Sequence, residues 1–144
     1  MSMFTKIIEE AFKSKGWNYK VETTVEDVIL SDFQSHSIVY NLRIFQAGSL
    51  IVLSAKLPYV LDDRTMPIIE KVLHEFNYKL PWGCFEINHK NSSLNYKVGF
   101  NCPSDVVFTE SLLMVMLVDV FVGLDNYLPN IASHFEVKEL LLAT

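Results

Sequence analysis

The side chains best able to do chemistry in this sequence are four histidines, two cysteines and one acid inside an apolar run. The histidines are His36, His74, His89 and His134. None has a His, Cys, Asp or Glu partner at HExxH-type or CxxC-type spacing, so the sequence predicts no metal site. No GxSxG elbow, phosphate loop or dinucleotide fingerprint occurs. A Ser/His/Asp triad built from distant residues stays open. We nevertheless expect no catalytic residue, no cofactor and no enzyme.

The cysteines and an acidic pair have structural explanations. Cys84 and Cys102 are predicted on opposite faces of one β-hairpin, because side-chain direction alternates along a strand. We therefore expect two reduced thiols rather than a disulfide. Asp62 and Asp63 precede a helical pattern. One of them is expected to cap that helix, since a helix N-terminus favours negative charge and no third metal ligand is near.

Asp119 is the acid that needs the most explanation, because it interrupts the apolar stretch from Leu112 to Leu124. Such a carboxylate is buried and paired, buried and neutral, or directed to the one wet stripe of its helix. We expect the last arrangement, in which Asp119 shares an exposed edge with Asn126 and Ser111. If it is buried instead, its pKa is raised and it can mark a functional site.

The segment Phe108–Leu128 is predicted to be a long buried helix on which a curved antiparallel sheet packs. A membrane span needs about 20 consecutive apolar residues. Here the run that starts at Leu112 stops at Asp119, and an acid in mid-span costs about 2.5–3.5 kcal/mol on insertion scales. We therefore expect no membrane partner, and burial against the same domain or a second subunit.

The composition is that of a globular protein with no nucleic-acid partner. The 144 residues are 50% hydrophobic and 20% charged, and the net charge is −5. A nucleic-acid binder normally carries a basic patch, which scattered Lys and Arg residues do not form. Residues Met1 to Ala11 do not resemble a signal peptide, so we expect a cytoplasmic protein.

Hydrophobic periodicity predicts the order α-β-β-β-α-β-β-α. This is a single α+β domain over residues 1–144, with an antiparallel sheet of about five strands packed against helices. Ser2 is the expected cap of the first helix and Gly16 its end. Either Ser104 or Thr109 caps the long helix. Pro129 marks its end or a kink, and a helical tail over 131–142 with Phe135, Leu140 and Leu141 follows.

A hairpin over residues 38–57 predicts one surface for binding. With Ala47-Gly48 as a two-residue loop, Ile44 faces Ile51, and every inward residue of one strand meets an inward residue of the other. The same register places an apolar patch on the opposite face, with Phe45 beside Leu50 and Val52 across from Arg43. Either a loop or terminus of the chain covers this patch, or it is a partner site.

Three stretches carry a family resemblance: Gly16-Trp17 after the first helix, HEFNYKLPWGCFEIN from His74 to Asn88, and LDNYLPNI from Leu124 to Ile131. With the order of elements, they resemble the YbjN-like family of sensory transduction regulators, whose fold is like that of type III secretion chaperones. The resemblance implies no catalytic residues. It implies proteins that bind polypeptide segments on sheet and helix surfaces, commonly as dimers. Those chaperones are usually strongly acidic, so a dedicated secretion role is not expected here.

We therefore expect a non-enzymatic cytoplasmic protein-binding module, chaperone-like or regulatory, that forms a homodimer. Its expected contact residues are Phe45, Leu50 and Val52, with Arg43 at the rim. The alternative is a small-molecule sensor or enzyme with a pocket between the sheet and the C-terminal helix near Asp119. A purely structural subunit of a larger assembly is a third interpretation.

Overall fold

The computed structural model describes residues 2–24 and 26–143, with side chains as far as residue 135. The helices are α1 (Met3–Lys15), α2 (Thr65–Lys79) and α3 (Glu110–Ala143). The strands are β1 (Lys20–Glu22), β2 (Val28–Ser35), β3 (Ile38–Ala47), β4 (Leu50–Val60), β5 (Cys84–Asn88) and β6 (Ser93–Asn101).

The six strands form one antiparallel sheet in the order β1-β2-β3-β4-β6-β5. Helix α3 contacts β2, β4 and β6, while α2 packs on β5 and α1 on α3. The predicted α+β class and the order of the expected elements are confirmed. The prediction missed β1, because three residues with Val21 as the single apolar one show no alternation to detect.

Alternation along the central strands creates the core. Tyr40, Leu42 and Ile44 of β3 are buried, as are Leu53 and Ala55 of β4. These side chains join residues of α1 and α3 in one hydrophobic cluster. Burying an aliphatic side chain of this size contributes about 1.5–3 kcal/mol, so this face of the sheet holds the domain together.

The β3–β4 hairpin differs from the predicted register. Ala47 pairs with Leu50, and Gln46 pairs with Ile51, so the loop is Gly48-Ser49 rather than Ala47-Gly48. Gly48 has φ +61° and occupies the first loop position, where a type II′ turn favours glycine. The hydrophobic pattern fits both registers, because moving the loop by one residue still pairs inward with inward residues. Turn geometry decided between them.

The hydrogen bonds at the helix starts agree with the predicted caps. They also decide between Asp62 and Asp63 as the cap of α2, and between Ser104 and Thr109 as the cap of α3. The hydroxyl of Ser2 accepts from the Thr5 amide at 3.1 Å. The Asp62 carboxylate, not that of Asp63, accepts from the Thr65 amide at 2.8 Å. The hydroxyl of Thr109 accepts from the backbone amide at position 112 at 3.2 Å, so Thr109 rather than Ser104 caps α3.

Helix α3 continues through Pro129 to Ala143. The separate helical tail expected after Pro129 is therefore part of the same helix. The ring of Phe135 stacks on Tyr59 with centroids 4.2 Å apart. The side chains of Leu140 and Leu141 lie outside the described residues.

Candidate functional site

The four residues predicted to bind a partner lie together on the helix-free face of the sheet, but in a different arrangement. Phe45 pairs with Val52 rather than with Leu50, and Arg43 pairs with Ser54 rather than with Val52. These two expectations on the pairing are wrong because the hairpin register differs.

Their exposure also differs from the expectation. Val52 is only 2% exposed, so the expectation that it offers contact surface is wrong. Its strand neighbours are Phe45 and Gly99, and Leu50 leans over Gly99 with Cδ1 3.6 Å from where a β carbon would stand. The Arg43 guanidinium lies 5.9 Å from the centroid of the Phe45 ring and screens part of it. Leu50, 40% exposed, is the main apolar contact left on this patch.

A larger apolar surface lies where the last part of β6 passes α3. There a groove of about 340 Å³ runs between the strand and the helix. We call it the α3–β6 groove. Its lining is Trp82, Val98, Gly99, Phe100, Leu112, Val115, Met116, Val118, Asp119 and Val122.

The groove exists because β5 is shorter than β6. Strand β5 begins at Cys84, opposite Lys97. The following residues of β6, Val98–Asn101, pair with β4 on one side and with no strand on the other side, within the part of the chain that the structure describes. Trp82, 74% exposed, stands in the loop just before β5 and also lines the groove. An unpaired strand segment therefore forms one wall.

The other wall is a stripe of valines on α3. Val115, Val118 and Val122 recur at helical spacing, and each is at least 50% exposed. The expectation that α3 is buried on most sides is only half right, since Leu117 and Leu124 are fully buried but this stripe is not. The sequence did not separate the buried face from the exposed face of α3, because apolar residues occupy both faces. Only the 115/118/122 spacing pointed to a second apolar face.

Asp119 lies in the α3–β6 groove. Its exposure is intermediate between the exposed edge that the sequence analysis expected and the buried carboxylate that it kept as the alternative. Ser111 and Asn126 are exposed as expected, but Asp119 is half-buried, and its Oδ2 is fully buried. Desolvation raises the pKa of this carboxyl, and the neighbouring Tyr96 hydroxyl lowers it in part. The expectation of an exposed edge is therefore correct for Ser111 and Asn126 but wrong for the Asp119 carboxylate, one oxygen of which is buried.

Tyr96 is the residue at this site that the sequence did not single out as functional. It is fully buried, and burial and then the Asp119 carboxylate raise the pKa of its hydroxyl above the usual value. A side-chain hydrogen bond between the hydroxyl and the carboxylate raises the pKa of Tyr96 further and lowers that of Asp119. Apart from each other, Tyr96 Oη and Asp119 Oδ2 have no hydrogen-bond partner among the described residues.

The remaining chemical candidates do not converge. The structure places His36, His74 and His89 at exposed positions. Within the described residues no group of three His, Cys, Asp or Glu side chains is placed to hold a metal ion. Cys84 and Cys102 are both free.

Helix α3 also passes a simple test for membrane spans. Residues Glu110–Phe135 are long and apolar enough to cross a bilayer by length and composition, with a mean hydropathy of 1.6. A core helix of a folded domain passes the same test, and 39% of the tested window is buried inside the structure. Here the buried side, with Leu113, Leu117 and Val120, faces the sheet.

The comparisons with known proteins give one informative result. No protein-family model and no curated protein matches the sequence. The crystal structure of YbjN from E. coli, described as a candidate transcription regulator, matches with a TM-score of 0.60 and 8% identity over 88% of this chain and 92% of that chain. The chain has the YbjN fold. At this identity the likeness establishes the fold alone, and it confirms the expected resemblance at that level.

Proposed function

We propose that this protein is a non-enzymatic regulatory binding module that holds a segment of another polypeptide in the α3–β6 groove. The observation that carries the proposal is an apolar groove beside an unpaired strand edge. The YbjN fold is consistent with a regulatory role, because YbjN is itself described as a candidate regulator.

The strand edge supplies the means to bind a main chain. Along a strand, successive residues direct their N–H and C=O groups to opposite sides. Of the four residues Val98–Asn101, two therefore direct these groups away from β4. An extended segment laid beside them would gain backbone hydrogen bonds and extend the sheet, as in β-strand addition. This edge favours an extended polypeptide as the occupant.

The walls supply apolar contact. Exposed apolar surface in a contiguous patch commonly marks an interaction site, and tryptophan is enriched among the residues that dominate binding energy. Trp82 and the stripe of Val115, Val118 and Val122 flank the strand edge. Apolar side chains of the bound segment would pack there, while its backbone pairs with β6.

The patch around Leu50 is the weaker candidate for the same function. Val52 is buried and Arg43 screens part of Phe45, so little apolar area remains to be covered. Partner binding at this patch stays a prediction, and the experiment below tests it with a Phe45→Ser/Leu50→Ser double variant. The homodimer, the cytoplasmic location and the chaperone-like role also stay predictions.

A second candidate function is a small-molecule sensor. It is favoured by the volume of the α3–β6 groove, about 340 Å³, which falls within the roughly 300–1,000 Å³ typical of ligand pockets. The presence of Asp119 among apolar walls also suits a pocket with one orienting polar group. Mass spectrometry of small molecules released from the denatured protein tests this candidate directly.

The proposed function is tested by capture of partners from native lysate with tagged wild-type protein and single variants. Trp82→Ala and Val118→Ser are expected to lose a reproducible partner at least about tenfold, as expected for residues that dominate binding. The matched controls, Tyr78→Ala and Val60→Ser, replace exposed residues remote from the groove. They are expected to retain the partner. Melting curves verify that all four variants fold.

Two outcomes would contradict the proposal. If the Phe45→Ser/Leu50→Ser double variant loses the partner while Trp82→Ala retains it, the binding surface is the helix-free face of the sheet. If the wild type captures no protein while a small molecule co-purifies with it, the sensor function replaces the binding module.

A further inference from the structure

The three central strands of the sheet carry charge of one sign only. Their charged residues are Arg43 on β3, Lys56 on β4 and Lys97 on β6, and no Asp or Glu occurs on these strands. The acidic residues of the sheet lie on the flanking strands β1, β2 and β5. A chain with a net charge of −5 thus places only cations at the centre of its sheet.

Strand pairing brings these cations together, although they are scattered in the sequence. Ser54 of β4 pairs with Arg43 on one side and with Lys97 on the other. Lys56 lies two residues further along β4 and on the same face, because side-chain direction alternates along a strand. Neighbouring strands are about 4.8 Å apart, so Arg43 and Lys97 stand about 10 Å from each other across Ser54. We call Arg43, Lys56 and Lys97 the basic cluster.

The basic cluster is accessible and only partly neutralised. Arg43 and Lys56 are exposed, and neither forms an ion pair with another described residue. Lys97 lies 3.9 Å from Glu86, but both side chains are at least 40% exposed, so solvent weakens this pair. The Arg43 guanidinium lies over the Phe45 ring, which orients the cation without neutralising it. The cluster therefore carries a net positive charge that attracts an anionic partner.

The spacing of the basic cluster favours a partner whose negative charges are spread over several residues. Each cation stands on a different strand, and drawing all three to one small anion would bring like charges together. Carboxylates that follow one another along a polypeptide match this spacing, and each can accept two hydrogen bonds from a guanidinium. A nucleic acid fits less well, because its binding rests on many phosphate contacts, and Asp32 and Glu86 on the flanking strands would repel the phosphates beyond the cluster.

We propose that the basic cluster is a docking surface for an acidic segment of a partner polypeptide, whose Asp or Glu side chains pair with Arg43, Lys56 and Lys97. The Ser54 hydroxyl, at the centre of the cluster, offers a neutral donor to the same carboxylates. The cluster lies on the helix-free face of the sheet, whereas the α3–β6 groove lies beside α3. The inference therefore goes beyond the proposed function and does not depend on it.

The experiment compares two triple variants that change the net charge equally. The cluster variant is Arg43→Gln/Lys56→Gln/Lys97→Gln. The control variant replaces exposed lysines of α1 and α2 and is Lys13→Gln/Lys15→Gln/Lys71→Gln. A random library of short peptides displayed on phage is panned on wild type and on both variants. Wild type and the control variant are expected to enrich peptides rich in Asp and Glu, and the cluster variant is not. Melting curves verify that both variants fold.

The strongest acidic peptide is then synthesised twice, once unchanged and once with Asn and Gln in place of its Asp and Glu. Calorimetry is expected to show that the acidic peptide binds wild type at least about tenfold more tightly than the amide peptide. This preference should be lost in the cluster variant and kept in the control variant. Added salt should weaken it, because exposed charges are screened. Trp82→Ala should bind the acidic peptide as wild type does, because the α3–β6 groove is not involved.

Several results would overturn the inference. One is that no acidic peptide is enriched on wild type, and another is that the two triple variants bind the acidic peptide equally. If inorganic phosphate binds as tightly as the peptide does, the cluster is a site for a small anion. If oligothymidylate binds wild type more tightly than the peptide and the cluster variant loses it, the partner is a nucleic acid. None of these results bears on partner capture by Trp82→Ala, so the proposed function is tested separately.

Discussion

The phenolic oxygen of Tyr96 lies 2.6 Å from the point where a β carbon on Gly123 would stand, and it is even closer to the corresponding point on Gly83. The tip of the ring is therefore held between the loop before β5 and the middle of α3. Both glycines are required by this approach rather than by backbone conformation, since neither has a positive φ. The contact sets how closely α3 approaches the sheet beside the α3–β6 groove.

Replacing Gly123 by alanine should destabilise the fold. The added methyl would overlap the ring of fully buried Tyr96, and overpacking of this kind costs about 1–3 kcal/mol. Gly99→Ala is the matched control, because its nearest neighbour, Leu50 Cδ1, lies at an ordinary 3.6 Å. Urea unfolding of both variants measures the difference. Equal urea midpoints of the two variants would show that the Tyr96 ring shifts to accommodate the methyl group without loss of stability.

Replacing Asp119 by asparagine should stabilise the protein at neutral pH. Desolvation raises the pKa of Asp119 above its ordinary value of 3.8, so the folded state holds a proton more tightly than the unfolded state. Its contribution is therefore favourable at low pH and is lost as pH rises through the folded pKa. The melting temperature of the variant should exceed that of wild type at pH 7, and the gap should narrow toward pH 3. A gap that is constant over this range would argue against the raised pKa.

Replacing Ser35 by alanine should loosen the β2–β3 hairpin from α3. The buried Ser35 hydroxyl donates to Asp125 Oδ1 at 2.5 Å, and His36 Nε2 donates to the Asp125 carbonyl at 3.0 Å. Loss of the first bond should lower the free energy of unfolding by about 1 kcal/mol, a typical value for a net hydrogen bond. Ser133→Ala is the control, since that exposed hydroxyl bonds only within its own helix, to the carbonyl of Asn130. Chemical denaturation of both variants should reveal the difference, and identical curves would contradict the role of the Ser35 contact.

Replacing Thr109 by alanine should weaken the start of α3. The Thr109 hydroxyl accepts from an otherwise unpaired amide of the first turn, and loss of such a cap costs about 0.5–2 kcal/mol. Ser104→Ala is the control, because this exposed serine was the other candidate cap and lies outside the helix. In thermal unfolding followed by circular dichroism, Thr109→Ala should have a lower melting temperature than both wild type and the control. The reverse ranking would place the cap at Ser104.

Several features of this protein could be derived from the sequence because they depend on near neighbours in the chain. The inward faces of β3 and β6 follow from alternation, which places Leu42 and Tyr96 in the core. The caps at Ser2 and Asp62 follow from short side chains at the start of a helical pattern. The absence of sequence motifs for metal or nucleophile chemistry likewise needed no coordinates.

The location of the candidate functional surface depended on tertiary structure. The hairpin register could not be chosen by a pattern of period two, so the predicted patch of Phe45, Leu50 and Val52 was arranged wrongly. The exposure of Val118 depends on where β5 begins, a strand far from it in the sequence. Local periodicity fixes which side of an element is apolar, whereas the length and placement of distant elements decide which apolar side stays uncovered. That is why the sequence predicted a binding module, whereas only the fold revealed the α3–β6 groove that we propose as its binding site.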